Sequence, residues 1–299
     1  MMLSPFAPAG PVAPQVLAEG ASRNDIIAAV NQNSARVQTL TATGASITIR
    51  DTFNLPVLTA NIAAERPGRI RLTAGTALTG QEMDLGSNEQ VFWMWVRRNE
   101  PPAVYYCRHD QFANSAIRQM MPIEPVWLLS ALGMVDVDPA SVYEGPVPSR
   151  DGTVEIRAWL PSSSGTLHRV LVIDAGTACV REQHVYDPSG QTLLASAVAE
   201  SHRYYPDQQI SLPQRVSLRL PTSGLALKID LGAVEINRPA GDPNQLWTMP
   251  AFPGYPKYDL SGAVPGTPLP GRRPGVAWGQ TAPTGLGPAV NSRSLLPWQ

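Results

Sequence analysis

The chain has 299 residues, about twice the roughly 150 of a typical domain, so one large domain with tails or two small ones fits. Lys plus Arg total 23 against 24 Asp plus Glu, a net charge of −1, which argues against an electrostatic footprint for nucleic acid or for an anionic membrane face. Charged residues are only 16%, below the roughly 25% of ordinary soluble domains, while proline reaches 30 residues, about twice its usual ~5% share.

Cys107 and Cys179 lack CxxC spacing and the four ligands of a structural zinc site; a disulfide scaffold is excluded. Two buried free thiols on separate strands, or one long-range disulfide, remain. No run of 18 apolar residues predicts a membrane-spanning helix. Met1 to Gln15 shows no positive n-region and no apolar h-region, so either the protein is cytoplasmic or the sequence begins downstream of a leader.

Residues 1–20 carry prolines at 5, 8, 11 and 14 and no regular period, which reads as an extended arm. Ser22-Arg23-Asn24-Asp25 then has capping-box spacing and starts a helix whose Ile26, Ile27, Val30 and Val37 share a face. From Ala42 the period changes from 3.6 to 2. Segments 45–51, 57–66, 69–77, 80–86, 90–97 and 103–108 read as an antiparallel meander, which resumes at 152–160, 166–174, 178–187, 192–204, 214–220 and 224–236. About eleven or twelve strands result, with one apolar sheet face: Leu58, Ala60, Ile62 and Ala64 alternate with more polar neighbours, as do Ile70, Leu72 and Ala74.

A helical insert over 111–133 separates the two runs. Gln111 to Met121 predicts one helix, and Pro125 to Gly133 a second, nearly all apolar, with Pro at its first position and Gly at C′. The expected fold class is α+β, mainly β: a curved antiparallel half-barrel of about eleven strands, with an N-terminal helix and a helical lid over a hydrophobic cavity. The lid's Trp127, Leu128, Leu129 and Leu132 are worth on the order of 6–12 kcal/mol if buried. An acyl chain of about 12–16 methylenes, at roughly 0.8 kcal/mol each, is of similar worth, so exchanging lid for lipid is near neutral.

From Arg238 to Gln299 there are 12 Pro and 9 Gly in 62 residues, a low-complexity composition. The expected organisation is therefore an arm at 1–20, a half-barrel at 21–237 and a strap and tail at 238–299. Trp247, Phe252, Tyr255 and Tyr258 give the strap something to bury, and Trp278 and Trp298 are expected to be exposed.

The sequence offers no carrier for catalysis or metal binding. With Ala175-Gly176 as a two-residue turn, facing residue numbers sum to about 351, so His168 opposes Gln183 and His184 opposes Leu167. The histidines do not converge. No GxSxG, P-loop, GxGxxG or HExxH occurs, and Ser162 to Gly165 reads as a loop; no cofactor is expected. Val91-Phe92-Trp93-Met94-Trp95-Val96 is apolar on both faces. It is either a doubly buried strand or a cavity wall, and periodicity leaves open whether Trp93 and Trp95 or Phe92 and Met94 would line that cavity.

Arg66-Pro67-Gly68-Arg69-Ile70-Arg71-Leu72 resembles the R-P-x-x segment of the bacterial Lol lipoprotein carriers and receptors. Asn237-Arg238-Pro239 after the last strand, followed by Leu246-Trp247, is similar to that family's N-x-P and aromatic ending. The LolA/LolB-like resemblance covers about 22–250 and rests on element order as well as residues. It implies non-enzymatic binding of lipid or lipoprotein acyl chains, for lipoprotein sorting or transport, by a monomer in the periplasm or at the outer membrane. Arg66 matches the Arg that latches the lid, with Ile62, Ile70, Leu72, Trp93, Trp95, Trp127 and Leu128 as apolar lining. Ile70 and Leu72 stand where the carriers often have aromatic residues. The rival reading on the same fold is an envelope protein–protein sensor or scaffold.

Overall fold

The computed structural model describes residues 10–49, 57–99, 101–149, 151–162 and 165–262; Trp278, Trp298 and most of the expected tail lie outside these. Helix α1 (Arg23–Ala35) begins at the Ser22–Asp25 capping box and buries Ile26, Ile27, Val30 and Ser34. The first meander comprises β1 (Thr39–Ile49), β2 (Leu58–Glu65), β3 (Arg69–Thr76), β4 (Gly80–Ser87), β5 (Val91–Val96) and β6 (Val104–Arg108). After the insert come β7 (Val142–Pro148), β8 (Thr153–Ser162), β9 (Gly165–Asp174), β10 (Val180–Tyr186), β11 (Leu193–Tyr205), β12 (Ile210–Leu220), β13 (Leu225–Asp230), β14 (Ala233–Ile236) and β15 (Lys257–Asp259). All belong to one open, curved sheet, ordered β15-β6-β5-β4-β3-β2-β1-β13-β12-β11-β10-β9-β8-β7, with β14 also paired to β1.

The two meanders join where β1 receives β13, so the late chain returns to the early chain in the middle of the sheet. The single strand expected at 224–236 is split. Gly44 makes a bulge in β1 at φ +67, and Gly232, at φ +63, sits so close that a Cβ there would be 2.9 Å from the Gly44 carbonyl oxygen. A glycine at each position lets β13 and β14 follow the bend.

Among the described residues, fifteen strands replace the expected eleven or twelve. The run at β7 contains Gly145, Pro146 and Pro148 and falls in none of the expected strands, yet it pairs with β8 through a register shift between Glu144 and Val147. It is an edge strand, where proline costs no ladder bond. The hairpin between β9 and β10 is wider than expected: Ala178 adopts φ +57, and the pairs are Tyr186 with His168 and His184 with Val170. The register is thus displaced from the expected sum of 351, and Gln183 faces Leu171.

The insert also departs in detail. Gln111 to Met121 forms two short 3₁₀ turns, His109–Asn114 and Ala116–Gln119, rather than one helix. Ser115 between them is buried and extended, and its hydroxyl donates to the Phe112 carbonyl at 3.0 Å. That local bond competes with helix continuation. Helix α2 (Trp127–Ala131) ends as expected on Gly133, at φ +97, with Gly133 N donating to Ser130 O and Met134 N to Leu129 O, the two bonds of a Schellman ending.

Candidate functional site

The apolar face of the sheet and the insert share one core. Ile62 and Ile70 from the early strands, Val185, Leu212 and Leu227 from the late ones, and Ile123, Trp127, Leu129, Leu132 and Met134 from the insert belong to a single buried cluster. A cavity of about 250 Å³ remains between insert and sheet. Its walls include Phe112, Ile123, Val126, Trp127, Leu129 and Met134 from the insert, and Leu160, Leu167, Arg169 and Val185 from the sheet. Pro67, before β3, lines the same space. The β3 and β9 strands are seven spacings apart in the sheet order, about 34 Å if flat at ~4.8 Å each, so the sheet has to curl for one small cavity to touch both.

Each predicted site residue has a definite place. Trp127 lines the cavity. Ile62, Ile70 and Leu72 lie buried in the core shared with the insert, and Leu128 packs against that core partly buried; none of the four lines the cavity. Trp93 and Trp95 do not face the cavity. They point to the opposite side of the sheet from Phe92 and Met94, which pack on Phe112, Ile117 and Met120 of the insert. The alternation of the strand sends the two pairs to opposite faces, and both are buried because the chain after β14 returns as a strap. Phe252 stacks on Trp95 at 4.0 Å, and Tyr255 meets it edge-on at 5.3 Å. Trp93 donates to the fully buried Asp84 at 2.9 Å, Arg71 completes that carboxylate at 2.8 Å, and Arg71 also donates to the carbonyls of Gln245 and Leu246.

Arg66 is well placed to hold parts of the fold together. Its Nε donates to Val37 O at 3.0 Å, its Nη2 to Ser34 Oγ at 2.5 Å, and its Nη1 to the Asp136 carboxylate at 2.5 Å. These partners are the end of α1 and the segment that leaves the insert, not the carbonyls of the lid helix. The lid carbonyl is held from the other wing. Gln183 on β10 donates to Ser130 O at 2.7 Å and accepts from Arg169 at 2.8 Å, while Arg169 Nη1 donates to Asp136 O at 2.9 Å. Arg169 is 6% exposed, and burial pushes its pKa down to about 10. Asn31 of α1 completes the frame by bonding both the N–H and the carbonyl of Val137.

Sequence reasoning missed Arg169, Gln183 and Asp136. One signal was present: Arg169 falls in phase with Leu167, Leu171 and Ile173, a cation on the apolar side of an alternating strand. Among the described residues no cluster of His, Cys, Asp and Glu could hold a metal ion, and no helix is long and apolar enough to cross a membrane. Cys107 and Cys179 are both buried free thiols.

No family model matches the chain, and no curated protein aligns with it. Solved structures do. A domain from Vibrio parahaemolyticus, provisionally named as an outer membrane lipoprotein-sorting protein, superposes with TM-score 0.50 at 7% identity, over 72% of this chain and 94% of that one. The fold resembles that of this domain. A LolA superfamily protein from Nitrosomonas europaea is similar at TM-score 0.48 and 11% identity, covering 76% of this chain and 97% of that one. A DUF1329 family protein from Desulfovibrio piger gives 0.46 and 11%, with coverages of 71% and 93%. At these identities the likeness is one of fold.

Proposed function

We propose that this protein binds acyl chains of lipids or lipoproteins, without catalysis, in the cavity between the helical insert and the sheet. The observation that carries the reading is the apolar cavity of about 250 Å³ beneath Trp127 and Leu129. A ligand can begin to fill this space without the whole lid leaving. Displacing Trp127, Leu129 and Leu132 outright would cost about 1.5–3 kcal/mol each, and hydrocarbon entering in their place offsets that cost. The similarity to a lipoprotein-sorting domain supports a place in the cell envelope, in the periplasm or at the outer membrane, and a role in lipoprotein sorting or transport. The proposed unit is a monomeric half-barrel at 21–237, with its proline-rich ends as strap and spacers.

The test is to purify the full chain, extract it and weigh the extract by mass spectrometry, then offer the delipidated protein fatty acids and lipopeptides while following Trp127 fluorescence. Lipid at near stoichiometric amounts and a saturable change at Trp127 are expected. A protein that purifies empty and takes up neither ligand would overturn the reading, and capture of one envelope protein instead would favour the scaffold role.

A further inference from the structure

Two residues of the cavity wall each keep a buried N–H, closed off from the space itself, that has no acceptor among the described residues. Arg169 Nε and Trp127 Nε1 are buried without a partner among the described residues. Both residues line the same space. The guanidinium is the more unusual of the two. Its Nη atoms are spent on neutral acceptors, the Asp136 carbonyl and the Gln183 amide oxygen. The Asp136 carboxylate in the lining acts on it through charge alone and gives its hydrogen bond to Arg66. Arg66 and Arg169 thus share the one Asp136 carboxylate, and a buried cation short of negative charge is costly; its usual resolution is a charged partner with hydrogen bonds.

The geometry points to an anionic head group as that partner: resting on the acyl-chain reading above, we infer that the cavity takes a single-chain amphiphile whose carboxylate, or similar acceptor-only anion, is read by Arg169. The size agrees. Pockets for drug-sized ligands run to about 300–1,000 Å³, so about 250 Å³ suits one chain rather than several. The polar wiring gives the head group a further effect. Gln183 is the neutral acceptor that a carboxylate would replace on Arg169, and the same Gln183 holds Ser130 O of the lid. A charge-assisted bond is roughly twice as strong as a neutral one. The incoming anion therefore competes for Arg169 and, in doing so, removes the bond that orients the Gln183 amide toward the lid. Recognition of the head and loosening of the lid become one event.

Calorimetry on the delipidated full chain, with palmitate and hexadecan-1-ol as probes of equal chain length, tests this. The native protein is expected to bind palmitate at least about tenfold more tightly, a difference of about 1.4 kcal/mol. Arg169→Met should erase the preference, the two probes then binding alike. Gln183→Glu supplies Arg169 with a carboxylate from within and should erase it too, which keeps the test alive if the Arg169 variant does not fold. Equal binding of the two probes by the native protein overturns the head-group assignment and leaves the cavity reading standing. A preference that survives in the folded variants overturns the role of Arg169. Binding of neither probe sinks the cavity reading itself.

Discussion

Arg66 and Arg169 meet on one residue: the first holds the Asp136 carboxylate at 2.5 Å and the second its backbone carbonyl at 2.9 Å. Arg66 follows β2 and Arg169 lies in β9, six strand spacings away in the sheet order, about 29 Å if the sheet were flat. Asp136, on the segment that leaves the insert, is thus a clasp between the two wings of the half-barrel. Its side chain is 77% exposed while that of Arg66 is 16% exposed, so the ion pair is partly screened. Asp136→Ala should cost only about 1 kcal/mol in urea denaturation, because Arg66 keeps Ser34 and Val37. Arg66→Leu removes all of these bonds and should cost about 2–3 kcal/mol. Equal losses in the two variants would contradict the ranking.

Gln183 is the sheet's hold on the lid helix. Replacing it by Ala leaves Ser130 O without that donor and should speed amide hydrogen exchange at Leu132 and Gly133, whose N–H groups bond within the ending of α2. Exchange in α1 should not change. Faster exchange throughout the chain would mean a general loss of stability rather than release of the lid.

On the outer face the indole of Trp93 lies across Gly86, where an added Cβ would sit 2.1 Å from the ring. Gly86→Ala should therefore force the ring off Asp84 and cost about 1–3 kcal/mol by overpacking. Near-UV circular dichroism should report the displaced indole. Combining it with Trp93→Leu should recover part of the loss, since the clash is absent in the pair. Strict additivity of the two variants would show that the contact is not the cause.

His202 is half-buried, and burial lowers its pKa below the ordinary 6.5, against a hydrogen bond to Val180 O that raises it. Above about 6.5 the imidazole is neutral in folded and unfolded chains alike, and its contribution is intact. As the pH falls through 6.5 toward the lowered folded value, the unfolded chain takes up the proton first and stability declines. His202→Gln should flatten the stability profile in that window, read from denaturation midpoints between about pH 7 and pH 5. An unchanged slope would assign the loss to other groups.

Much of the frame was legible because its signals are local. Ser22 and Asp25 specify a helix start, Gly133 a helix end, and the alternation around Ile62 and Ile70 a sheet with one apolar side. What could not be read depends on distant partners. Phe92 and Trp93 alternate to opposite faces, and only the folded chain shows that the insert covers one face and the strap the other. The strand at Val142–Pro148 exists by pairing with β8, against the grain of its own prolines. Arg169 and Gln183 gain their meaning from Ser130 and Asp136, which a linear sequence keeps far apart.

The strap has one more consequence. Lys257, Tyr258 and Asp259 pair in parallel with Val104, Tyr105 and Tyr106, closing the margin that β6 would otherwise present. At the far margin β7 offers Pro146 and Pro148, which have no N–H to give. An uncovered, regular margin invites another chain to continue the ladder. A chain cut short before Lys257 should accordingly join with its like along β6, visible as dimers or larger species in light scattering, whereas the intact chain stays single. With both margins guarded, the cavity between insert and sheet can stay open without leaving a regular strand edge for another copy to extend.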